Sequence, residues 1–186
     1  MKNLLVGLLS LICLSLNGQT LSEKEKEILK HIDANYDQSL SFLEKSVNIN
    51  SGTFNTKGVR EVGVLFDEEF KKIGFDCRWI NMPAEMKRAG HLFAEHKGTK
   101  GKRLLLIGHL DTVFEPESPF QKWLSNDSVG FALGANDMKS GYVIILYALK
   151  ALMASRAIDQ SQIIVALHGD EEHGGNPDSI SRKDIY

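Results

Sequence analysis

Three short stretches of this chain concentrate side chains that bind cations and move protons. His109 and Asp111 lie in GHLDT, Asn136, Asp137 and Lys139 in GANDMKSG, and Asp170, Glu171, Glu172 and His173 in GDEEHGG. Imidazole is a good zinc ligand, and a nearby carboxylate can hold its far ring nitrogen and fix the tautomer. Two adjacent glutamates can divide labour. One coordinates an ion, while its neighbour takes a proton from a water whose pKa the ion lowers from near 16 to about 7. Spacing alone leaves open which glutamate does which. Three acids in a row repel one another, so at the end of an apolar segment they call for a compensating cation or for full hydration. One such knot is a common surface feature; three at the ends of core elements point to metal chemistry.

The surrounding sequence must position these knots. RLLLI leads into His109, and QIIVAL leads into His168 and the acidic run, so both knots follow strongly apolar strands. The unbroken LLLI suits a strand covered on both faces. In open α/β sheets, ligands bind beyond the carboxyl ends of the strands. SGYVIILYALKALMAS reads as a buried helix, with Asn136, Asp137 and Lys139 at its start, where an acid gains from exposed N–H groups. Upstream, Ile28, Ile32, Leu40 and Leu43 predict a helix from Ser22 to about Lys45, opened by a Ser22–Glu25 capping box. After the polar turn VNINSGTFNTKG, a second helix is expected from about Lys57 to Ile73. Val59, Val62, Leu65, Phe66 and Phe70 face inward, and Gly74 stops it. Further strands are expected at FDCRWI and GHLFAEHK. Helices alternating with apolar strands give an α/β fold.

The 186 residues carry a formal charge of −2 and only short basic clusters, so there is no electrostatic footprint for nucleic acid. Lys2, followed by an apolar run from Leu4 to Leu16 and then polar residues, reads as a secretory signal peptide over residues 1–18. That leader implies export to the periplasm or the exterior. Its removal takes Cys13 and leaves Cys77, so no intramolecular disulfide is expected. His31, His91 and His96 read as isolated surface or strand residues, His168 as a packed core histidine, and His173 as a rim or substrate group.

In order, GHLDTVF, GANDMKSG and GDEEHGG resemble the M20 family of zinc metallopeptidases, the group containing glutamate carboxypeptidase and related aminoacylases. SGTFNTKGV and SRKDI are also similar to its members. The resemblance implies a three-layer α/β sheet with helices on both faces, the phosphorylase/hydrolase-like zinc exopeptidase fold, here incomplete. It implies two Zn2+ ions, with Co2+ or Mn2+ as substitutes. His109, Asp137 and Glu172 would be metal ligands, with Asp137 bridging. Asp111 would orient His109, Glu171 would be the general base, and Asn136 would lead into Asp137 through a cis peptide. Lys139 and His173 would be supporting or substrate-proximal groups. The implied reaction is hydrolysis of an amide next to a free carboxylate, in a small peptide or an N-acyl amino acid. A full-length relative is expected to be a homodimer. Family members continue with another carboxylate ligand, a lid or dimerisation domain and a final histidine ligand. Residues 19–186 are therefore expected to be part of a catalytic domain, with each ion one ligand short and activity low.

Overall fold

A computed structural model describes residues 20–119, 121–126 and 128–183. The leader expected over residues 1–18 lies outside the described residues, none of whose helices is long and apolar enough to cross a membrane. The first predicted helix is two, α1 (Glu23–Ala34) and α2 (Tyr36–Val47). They divide at Asn35, whose side-chain amide donates to the His31 carbonyl, 2.7 Å away. An asparagine that bonds its own backbone competes with the helical ladder at that point. Ser22 and Glu25 form the expected reciprocal capping box. Helix α3 (Thr56–Lys72) is capped by Asn55, whose side chain accepts from the Gly58 N–H. It ends before Gly74, which takes the left-handed φ of 86° that glycine tolerates best.

Strands β1 (Asp76–Ile80), β2 (His91–His96), β3 (Lys100–His109) and β6 (Ser161–His168) form one sheet in the order β1-β2-β6-β3. The first two pairings are antiparallel and the last is parallel. Two short strands, β4 (Leu124–Ser125) and β5 (Gly130–Phe131), pair separately. Helix α4 (Ser140–Ala154) precedes β6, and a single turn, α5 (Asp178–Ser181), ends the described chain.

This is a mixed α/β fold, a multi-strand sheet flanked by helices. Its core joins Val59, Val62, Phe66 and Phe70 of α3 and Tyr142 and Leu146 of α4 to Leu92, Ala94, Val165 and Leu167 of the sheet. Phe66 meets the Tyr142 ring edge-on at 4.6 Å and Phe42 of α2 at 5.0 Å, so aromatic contacts weld three helices together. One expectation fails. The LLLI strand is not covered on both faces: β3 is the edge of the described sheet, and Leu104, Leu105 and Ile107 are 50%, 41% and 53% exposed. An unbroken apolar run reports affinity for a core, not the presence of neighbours on both sides.

The parallel pairing positions the chemistry. His109 lies opposite His168 in the ladder, so β3 and β6 end level and release HLD and GDEE side by side. The third knot is anchored by Lys139, which is 1% exposed. Its Nζ donates to the carbonyls of Ser46 (3.2 Å) and Ile49 (2.9 Å), tying the start of α4 to the end of α2. Burial pushes its pKa down from 10.5 to about 7. Among the described residues Lys139 forms no ion pair, because its stem carries the amine inward to the two carbonyls.

The unfolded lysine keeps its proton up to its ordinary value, whereas the folded one gives it up near neutrality. Stability should then rise with pH above about 7. In calorimetry, the melting-temperature gap between the parent chain and Lys139→Met is expected to widen by ~2–4 °C per pH unit between about pH 7 and 9. A gap independent of pH would show that Lys139 stays charged in the fold.

Candidate metal centre

Asp111 is fully buried and gathers the site around its carboxylate. Oδ2 accepts from Thr53 Oγ1 at 2.7 Å and from the Glu172 N–H at 3.1 Å, and Oδ1 accepts from the Glu171 N–H at 3.1 Å. The same carboxylate lies 3.5 Å from His109 Nδ1, whose shorter contact, 3.0 Å, is to the Asp111 main-chain carbonyl. An acceptor facing Nδ1 puts the proton there and leaves the Nε2 lone pair for a ligand. Asp111 thus faces Nδ1 with both its backbone oxygen and its carboxylate, and the carboxylate also holds the acidic turn. Asp111's own pKa is lowered: burial opposes its charge, but hydrogen bonds from His109 and Thr53 outweigh it.

Nε2 of His109 faces the other two knots. It lies 3.1 Å from Asp137 Oδ1 and 3.7 Å from Glu171 Oε2. Ligand atoms of His109, Asp137 and Glu172 all fall within 4.8 Å of one another. The imidazole is buried, while the Asp137 and Glu171 side chains are 73% and 55% exposed, so the site opens to solvent on its acidic side. Burial opposes a charge on His109, yet hydrogen bonds and attraction from Asp111, with Glu171 beyond, raise its pKa to about 9. Glu172 is raised by burial first and by the surrounding carboxylates, against the pull of His109. Both shifts describe a site that seeks positive charge. The donor set, one imidazole and two carboxylates with the imidazole tautomer fixed, fits zinc.

The knot between the strands is shaped by its backbone. Residues Ala135–Lys139 form an irregular helical turn in which Asp137 (φ −122°, ψ 101°) and Met138 (φ −126°, ψ 35°) leave helical geometry. The cis peptide joins Asp137 to Met138, not Asn136 to Asp137 as the resemblance implied. Asn136 is exposed. His173 packs against Phe54, with ring centroids 4.4 Å apart, and Arg88 lies over the other partner's ring at 4.5 Å, so the expected rim group sits in an aromatic and cationic edge.

A second group of possible ligands, His91, His168 and Asp170, lies behind the acidic turn, and all three are buried. Each of the two clusters offers three ligands, where zinc usually takes four. Sequence reading placed His168 correctly in the core but took His91 for an isolated surface or strand residue; it is in a strand, yet only 1% exposed. It also missed Thr53, Ser181 and Arg182. Thr53 stands in a turn whose composition explains itself, and nothing local links it to Asp111, 58 residues away.

Residues 105–184 match the model of peptidase family M20/M25/M40. Carboxypeptidase G2 of a Pseudomonas species is 30% identical over 173 residues, which is 89% of this chain and 41% of that protein. A succinyl-diaminopimelate desuccinylase of Cupriavidus necator is 27% identical over 118 residues, 58% of this chain and 30% of its own. The chain thus spans less than half the length of these relatives. The M20 family metallo-carboxypeptidase Sso-CP2 from Sulfolobus solfataricus superposes with a TM-score of 0.63 at 22% identity, over 75% of this chain and 32% of that one. With candidate ligand side chains converging beyond β3 and β6, the described residues have an α/β fold that matches part of the M20 metallo-carboxypeptidase fold.

Proposed function

We propose that this chain belongs to an exported zinc-dependent hydrolase that cleaves an amide beside a free carboxylate, as a carboxypeptidase or an amino-acid deacylase. The observation that carries the reading is the approach of His109, Asp137 and Glu172 to within 4.8 Å, with Glu171 beside them. The names of the two sequence relatives support it, since one is a carboxypeptidase and the other removes an acyl group. Export rests on the leader over residues 1–18, and homodimerisation on the family resemblance.

In this reading His109, Asp137 and Glu172 would hold the ions. When bound, the ions would acidify water and polarise the amide carbonyl. Glu171 does the proton work. Its carboxylate is half-exposed, next to His109 Nε2, where it can take a proton from attacking water and return it to the leaving nitrogen. Thr53 and Asp111 keep the turn that carries Glu171 in register with His109. Two ions sharing three protein ligands would be held weakly, so slow turnover is expected of this chain. The competing reading is a weak metal-binding module without turnover, favoured by that same shortage of ligands.

Zinc titration of the chain should show binding that His109→Ala and Glu172→Gln each weaken at least tenfold. Because the free His109 keeps a proton up to about pH 9, zinc must displace it. Apparent affinity should therefore fall close to tenfold for each pH unit below that value, and a flat profile would place zinc elsewhere. Chromatographic assay of peptides with a free C-terminal carboxylate and of N-acyl amino acids should detect zinc-dependent release. Glu171→Gln should cut kcat by ~10²–10⁴-fold with zinc content unchanged. Zinc binding with no release from any such substrate would leave the binding module.

A further inference from the structure

The buried group behind the acidic turn resembles a second metal site, yet the hydrogen bonds of His91 and Asp170 close without an ion, and only the ring nitrogens of His168 are left without a partner. The Gly169 N–H points at His91 Nδ1, 3.2 Å away. A backbone N–H can only donate, so Nδ1 accepts and the neutral ring carries its proton on Nε2. Nε2 lies 3.3 Å from Ser181 Oγ and donates to it. The Ser181 hydroxyl in turn donates to Asp170 Oδ2 at 2.5 Å. Arg182 donates to Asp170 Oδ1 at 2.6 Å and also to Ser181 Oγ. A hydroxyl has one proton and two lone pairs, and here all three are used.

An ion at His91, His168 and Asp170 would need a lone pair that His91 does not offer, and would set a second cation beside the guanidinium. Arg182 already supplies the positive charge that the fully buried Asp170 requires. Room for it is made by Gly175, where a Cβ would come within 2.5 Å of the guanidinium. Asp170 is joined directly to Glu171, so its anchor fixes the back of the turn whose front is held by the Asp111 carboxylate.

We propose that Arg182 is a positioning residue. Acting through Asp170, with Ser181 and His91 completing the buried chain of hydrogen bonds, it fixes the Glu171–Glu172 turn so that Glu172 faces His109 and Asp137. This rests on the metal reading given above. The acidic turn is thereby clamped between α5 and β2 at the rear and Asp111 at the front.

Equilibrium zinc binding by the full chain, measured by competition with a chromophoric chelator, tests the clamp, with zinc-free melting temperature and circular dichroism recorded alongside. Folded Arg182→Gln is expected to bind zinc 10–100-fold more weakly, the range typical when a group supporting a metal ligand is lost. Arg182→Lys restores charge at Oδ1 but cannot also reach Ser181, so its affinity should fall between the two. Folded Arg182→Gln with the parent affinity would overturn the proposal, however much its melting temperature drops, because that is the result of a purely structural role. If Arg182→Gln does not fold, Arg182→Lys decides: a loss of about threefold or more supports the clamp, and parent affinity overturns it. A parent chain that binds no zinc would instead remove the metal reading, and this inference with it.

Discussion

A carboxylate removed from water must find partners inside the protein, and much of this structure follows from satisfying one. Asp111 has no exposed surface, and leaving it unpaired would cost several kcal/mol. Besides the neighbouring imidazole of His109, its partners come from two distant places: the hydroxyl of Thr53 before α3 and two main-chain N–H groups after β6. Satisfying that one anion therefore brings together segments that the sequence keeps apart. It also explains why the acids of GDEE can be neighbours. Their backbone is held by Asp111, one of them is neutralised from behind by Arg182, and the other two face a site that attracts cations.

The sheet supplies the other half of the arrangement. Antiparallel pairing of β1, β2 and β6 builds a frame, and the parallel β3 places its last residue level with the last residue of β6. A shift of one residue in that register would turn His109 to the opposite face of the sheet. The aromatic contacts among Phe42, Phe66 and Tyr142 hold α4 against this frame. Lys139 fastens the beginning of α4, and hence Asp137, to α2. Each of the three knots is thus fixed by a buried group, while the carboxylates Asp137 and Glu171 remain open to solvent.

The exposed aliphatic side chains of β3 and the 68% exposed Ile144 of α4 show a sheet edge whose apolar surface exceeds its cover. The candidate metal centre lies beyond the last residue of β3, His109.

Much of this was legible along the chain. The capping box at Ser22, the stop at Gly74, the inward stripe of α3 and the strands before each acidic knot follow from local periodicity and turn chemistry. The candidate residues at positions 109, 137, 171 and 172 were also visible there, and the fold brings them together. What only the tertiary structure decided are relations between distant segments. They include the division at Asn35, the edge position of β3, the inward path of Lys139, the burial of His91, and the contacts of Thr53, Ser181 and Arg182. The physical reason is that periodicity records which way a side chain points relative to its own element. Burial, pairing and charge compensation depend on which other element arrives there, and that is settled when the whole sheet closes on its helices.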